Sequence, residues 1–145
     1  MVVIGLWKEK ISKSTLIKER SMSDDSATGI DALWANRNIV NKRWGGYEVI
    51  AEKPGWKIKY LFIKPNSRLS DQRHFYRSEH WFILQGELDL VINQKSRVKL
   101  KKGDSVDIKV DTWHWPQNVS NEPCIVLETQ YGKSFEEDDI ERRAY

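Results

Sequence analysis

The sequence predicts an all-β domain, a small barrel or sandwich, and three observations carry that reading. From Trp44 onward, short β-type segments recur with turn residues between them. Period-two alternation is clear in Leu88, Leu90 and Ile92 and again in Val106, Ile108 and Val110, as a strand with one buried face requires. No internal repeat or low-complexity tract competes with this pattern.

Taken in order, residues 1–38 differ in composition from the rest and are expected to form an N-terminal arm, with residues 39–145 forming the barrel. Leu6, Ile11, Leu16 and Ile17 suit a short amphipathic helix, and Ile30, Leu33 and Trp34 fall at helical spacing after a cap at Thr28. A polar Ser/Asp-rich stretch from Ser21 to Ser26 separates the two. The expected strands are Tyr47 to Glu52, Trp56 to Ile63, Arg68 to His74, Glu79 to Leu84, Glu87 to Ile92, Arg97 to Leu100, Ser105 to Val110 and Ile125 to Tyr131. Turn signals separate them at Pro65-Asn66, Gln85-Gly86, Asn93-Gln94, Gly103-Asp104 and Asn121-Glu122-Pro123. The acidic tail from Phe135 to Arg143 suits a final helical turn or a covering strand.

At 145 residues the chain suits one domain that can bury a core without disulfides or structural zinc, and leaves no room for a second catalytic domain. Its one cysteine, Cys124, sits in an apolar run and reads as a buried, inert thiol. The apolar stretch Val2 to Trp7 is shorter than a signal-peptide core, and no run is long enough to span a bilayer, so a soluble, unexported, cytoplasmic protein is expected. A net charge of +3, built from many charges of both signs, does not argue for a nucleic-acid partner. Lys57, Lys59 and Lys64, and Lys95, Lys99, Lys101 and Lys102, read first as solvated strand edges that block aggregation, and second as anion binders. Seven tryptophans are many for this length. Trp81, Trp113 and Trp115 lie beside candidate ligands, where rings can line a sugar site but more often fill a core.

The candidate site is Gln72, His74 and Glu79, spaced Q-x-H-x-x-x-x-E, with His114 later in the chain. Two imidazoles, a carboxylate and an amide are donor types that a borderline divalent cation accepts. Gln72 and His74 are two apart, so on a strand their side chains leave the same face. The segment Phe75 to Ser78 allows a turn that brings Glu79 back toward them. If Glu79 faces inward, parity sends Trp81 and Ile83 inward with it and turns His80 to the other face, which argues against His80 as a ligand. Two histidines and a glutamate also occur in β proteins for packing reasons alone; the ordered spacing is what favours a metal.

These segments resemble the two motifs of the cupin superfamily, small β-barrels that usually hold a metal through His-x-His-x-x-x-x-Glu and a later His, here with Gln72 in place of the first His. Residues from about 40 to 143 are similar to the C-terminal part of type II mannose-6-phosphate isomerases, as found in bifunctional phosphomannose isomerase/guanylyltransferase enzymes. The matching stretches include Trp44-Gly45-Gly46-Tyr47-Glu48-Val49-Ile50, the run from Arg68 through Trp81, Gly103-Asp104-Ser105-Val106, His114 with Asn118, Glu128-x-Gln130-x-Gly132 and Glu137-Asp138-Asp139-Ile140. Departures are Asn66 where the family usually has Gly, Lys109 and Arg43 where it has Pro, and the absence of a Tyr-Gly-Arg type of ending. No Gly-rich nucleotide-binding segment precedes the barrel in this sequence, so guanylyltransferase activity is expected to be absent.

The resemblance implies a cupin-type double-stranded β-helix, or jelly roll. It also implies one divalent ion (Mn, Zn, Co, Fe or Ni) on Gln72, His74, Glu79 and His114, and interconversion of mannose 6-phosphate and fructose 6-phosphate. Arg77 matches a motif arginine and suits contact with substrate oxygen or phosphate, because its planar fork stays charged. Arg68, Lys59 and Lys64 are secondary phosphate candidates. The proton-transfer base stays open between Glu128 and His80, Glu79 being tied to the metal. A non-catalytic sugar-binding module and an Fe(II) dioxygenase are the competing classes. Cupins commonly pair, so a homodimer is expected, with Trp7 and Trp34 of the arm available to cover a neighbour.

Overall fold

The computed structural model describes residues 38–143. The helices expected before Ile39 therefore lie outside the described residues, as does any cover formed by Trp7 and Trp34. Among the described residues the regular elements are strands and one 3-10 turn at Glu137–Asp139. In chain order the strands are β1 (Ile39–Lys42), β2 (Gly45–Lys53), β3 (Trp56–Ile63), β4 (Ser67–Arg68), β5 (Asp71–His74), β6 (Arg77–Gln85), β7 (Glu87–Ile92), β8 (Ser96–Lys101), β9 (Ser105–Ile108), β10 (His114–Asn118), β11 (Cys124–Gly132) and β12 (Ile140–Arg143). None of the described residues forms a helix long and apolar enough to cross a membrane.

Two antiparallel sheets pack face to face. The first runs β1-β2-β3-β11-β6-β9 and the second β12-β5-β10-β7-β8, with β4 beside β10. The core between them is Leu61, Ile63, Leu69, Trp81, Ile83, Leu88, Leu90, Leu100, Ile108, Cys124 and Val126. Each large apolar side chain withdrawn from water there contributes roughly 1.5–3 kcal/mol. Cys124 is fully buried, and burial, with the Glu87 charge second, pushes its thiol up to about 12, so it is inert as expected.

The inner face of the first sheet changes character along its strands. Val126 on β11 pairs with Leu61 on β3 and Ile83 on β6, an apolar row. One step along, Glu128 pairs with Lys59 and Trp81; at the next step, Gln130 pairs with Lys57 and Glu79. Period two keeps all of these on one face. One end of the sandwich is therefore an oily core and the other a polar cavity.

Two expectations change here. The stretch from Arg68 to His74 is broken at Leu69-Ser70 rather than one strand. The segment after His114 is a strand, β10, between β5 and β7, despite Pro116. A strand residue points its N–H and C=O to the same neighbour. Pro116 O accepts the Leu69 N–H at 3.1 Å, so the missing donor faces the break between β4 and β5 and costs the β7 ladder nothing. The acidic tail forms both a turn and a covering strand.

Candidate metal centre

Three buried side chains converge from the two sheets. His74 ends β5, His114 begins β10, and Glu79 points inward from β6; donor atoms of all three lie within 4.8 Å of one another. Gln72 stands opposite His114 across the β5–β10 pair and lines the cavity beside Glu79. His80 points to the outer face and meets Asp107 Oδ1 at 2.8 Å, as parity requires.

Each donor is oriented by its neighbours. His114 Nδ1 lies 2.8 Å from the Thr112 carbonyl, which it satisfies by donating, so Nε2 keeps its lone pair. His114 Nε2 lies 3.6 Å from Glu79 Oε2 and His74 Nε2 3.1 Å from Oε1. Neither approach is aligned as a hydrogen bond, and both nitrogens are buried without a hydrogen-bond partner. Orphaned buried imidazole nitrogens aimed at a shared carboxylate are what a cation would satisfy, so these residues fit a divalent metal.

Glu79 is further held by Arg77 Nε at 3.4 Å on Oε1 and Trp81 Nε1 at 3.1 Å on Oε2. Burial acts to raise its carboxyl, but His114 and then His74 outweigh it and hold the group well below the usual carboxylate range. Burial acts to lower the His114 imidazole, but the Glu79 carboxylate, the Thr112 carbonyl and the Glu128 charge together raise it above its ordinary value, so a cation would take Nε2 in exchange for a proton.

Beyond Glu79 opens a cavity of about 580 Å³ whose wall includes Gln72, Arg77, Glu128 and Gln130. Its cations are Lys42, Arg43, Lys59, Arg68, Arg77 and Arg142. Lys59 is not a solvated edge residue, because β3 lies inside its sheet and turns Lys59 inward. Burial, opposed by the Glu128 charge, lowers its ammonium below the ordinary value. Arg68 reaches the wall while stacking on Trp115, its guanidinium carbon 4.1 Å from the ring centroid. Lys64 is exposed and absent from the wall, since it follows the inward Ile63 by one position. Of the three tryptophans, Trp81 is wholly buried in the core; Trp113 and Trp115 flank the inward His114 and stack with arginines, Arg143 lying 3.7 Å from Trp113.

The tail motif has a structural task that its sequence did not announce. Asp139 is buried and accepts the backbone N–H groups of Phe75 at 3.0 Å and Tyr76 at 3.2 Å. It thereby fixes the turn between His74 and Glu79. Asn118 serves a turn too, donating to the Ile63 and Glu122 carbonyls rather than entering the site.

The family model for the mannose-6-phosphate isomerase C-terminal domain matches residues 31–144. The chain belongs to that family. It is 31% identical over 136 residues to a mannose-1-phosphate guanylyltransferase of Escherichia coli, a match covering 89% of this chain and 29% of that enzyme. The chain thus spans under a third of the length of such curated relatives. Among solved structures, a double-stranded β-helix protein of Klebsiella pneumoniae is similar with a TM-score of 0.62 at 15% identity, covering 83% of this chain and all of the other. A cupin-superfamily sugar phosphate isomerase of Silicibacter pomeroyi is similar with a TM-score of 0.55 at 16% identity, covering 59% and 58% of the two chains. The mannose-6-phosphate isomerase C-terminal domain described by residues 38–143 is accordingly a cupin jelly roll.

In this family member the residues that sequence reasoning passed over are Gln130, Tyr47, Lys42, Arg43 and Arg142 on the cavity wall. A signal existed for Gln130. Cys124, Val126, Glu128 and Gln130 are two apart, so a strand places polar groups on the face its apolar residues bury.

Proposed function

We propose that this domain is a metal-dependent sugar-phosphate isomerase acting on mannose 6-phosphate and fructose 6-phosphate or a close relative of that pair. The observation that carries the reading is the buried His74, Glu79 and His114 cluster adjoining a cavity walled by cations. A divalent ion held by these three residues, with Gln72 as a further donor, would supply Lewis-acid polarisation of a carbonyl, and Mn, Zn, Co, Fe and Ni all accept the set.

The chain's own residues supply the rest. Arg77, fixed by Glu79, presents a permanently charged group to a substrate oxygen. Lys59 and Arg68 oppose the phosphate charge within a low-dielectric cleft, where each attraction exceeds its value in water. Lys64, which is not on this wall, has no part in the reading.

A coupled assay of mannose 6-phosphate and fructose 6-phosphate interconversion over a panel of metals tests it, with His74→Ala and Arg77→Ala as comparisons. Turnover that depends on metal and on both residues is the expected result. Sugar-phosphate binding without turnover under any metal would leave a binding module instead.

A further inference from the structure

An aldose-ketose isomerase must move a proton between neighbouring carbons, and the metal cluster does not provide the group that does so. We propose that Glu128 is that group, the catalytic residue that takes the proton from one carbon and returns it to the next. The proposal rests on the isomerase reading above.

Elimination and placement support it. His80 faces away from the cavity and pairs with Asp107. Glu79 has both oxygens engaged by His74, His114, Arg77 and Trp81. Glu137 is exposed at the rim, with Arg142 Nη2 3.4 Å from it. Glu128 is 4% exposed yet lines the cavity, one pair along the sheet from the Glu79 and Gln130 row. Gln130 Nε2 donates to Glu128 Oε1 at 2.7 Å and fixes the carboxyl's orientation. Lys59 stands directly opposite on β3, a positive group that favours the carboxylate form of Glu128. Burial, with the Glu79 charge second, raises the Glu128 carboxyl to about 7, which suits exchange of a proton near neutral pH.

The step balances within substrate and side chain. The C–H bond at C2 of the aldose breaks, its electron pair forms the C1–C2 double bond of an enediolate, and the proton passes to the Glu128 carboxylate. Glu128 then delivers that proton to C1 while the hydroxyl proton moves from O2 to O1. C1 is reduced and C2 oxidised, so no outside oxidant or reductant enters.

The test follows mannose 6-phosphate in D₂O by proton NMR, reading both isomerisation and deuterium entering C1 of the product, with the metal that best supports the wild type. Glu128→Gln should lower both by about 10²-fold or more while Mn²⁺ binding and melting temperature stay near wild type. His80→Asn, on the outer face, should match wild type. If Glu128→Gln fails to fold, Glu128→Asp, which keeps the charge but withdraws it, should fold and lose about tenfold or more. Glu128→Gln, or Glu128→Asp in its place, active at the wild-type level overturns this assignment alone. A wild type with neither turnover nor deuterium entry under any metal overturns the isomerase reading and this assignment with it.

Discussion

Gln72 and His114 stand opposite one another where β5 meets β10, and the pairing places the glutamine amide on the same sheet face as the imidazole. A residue two along β5 from Gln72, His74, shares that face, so a single local pairing assembles three of the four expected donors. Glu79 arrives from the opposing sheet, carried back by the turn that Asp139 holds.

Metal loading should stabilise the fold. Added Mn²⁺, Co²⁺ or Zn²⁺ at about a hundredfold over its dissociation constant should contribute about 2.7 kcal/mol. The melting temperature should rise accordingly and return after chelation. His74→Ala and His114→Ala should abolish the increment. A melting curve indifferent to every metal would sink the ligand assignment.

Arg77 should divide its roles between substitutions. Arg77→Ala removes the guanidinium from a wholly buried carboxylate and should destabilise by about 3–5 kcal/mol, the cost of breaking a buried pair. Arg77→Lys keeps the charge and loses the fork, so it should remain folded with turnover reduced about tenfold or more. Urea unfolding and steady-state kinetics read the two effects separately; an Arg77→Lys enzyme as active as wild type would refute the substrate contact.

The Glu128 carboxyl should leave a pH signature of definite sign. Raised from an ordinary value of 4.5 to about 7, it holds a proton in the folded state that the unfolded chain has released. Stability should therefore fall as pH rises from about 4.5 to 7, by about 3 kcal/mol relative to a chain lacking the group. Urea titrations of the metal-free wild type and Glu128→Gln should converge near pH 4.5 and separate toward pH 7, with the wild type the less stable. Turnover of the metal-loaded enzyme should move the other way, rising with pH as the carboxylate forms. Parallel stability profiles would contradict the raised value.

Asn66 has a φ of 53°, in the left-handed region. Glycine adopts this left-handed conformation freely, and asparagine tolerates it better than most residues. Asn66→Gly should be neutral or stabilising by up to about 1 kcal/mol in thermal melting. A loss of more than that would mean the asparagine side chain does something the backbone does not.

The all-β fold was legible because period-two runs such as Leu88-Leu90-Ile92 and glycine-marked turns are local signals. The same parity correctly turned His80 outward. Strand β10 was not legible, since Pro116 reads as a breaker unless its ring nitrogen is known to face the gap at Leu69-Ser70. Lys59 looked like a solvated edge because sequence does not show that β3 is an interior strand.

By itself the sequence determined the donor types, the faces they leave and the family they belong to, because motif spacing and strand parity act over a few residues. Only the tertiary structure decided that Glu79 meets His74 and His114 across the sandwich. It alone decided that Glu128 and Lys59 face each other within the cavity, and that Lys64 lies outside it. Those relations depend on sheet order and register between strands far apart in the chain, which no short-range pattern encodes.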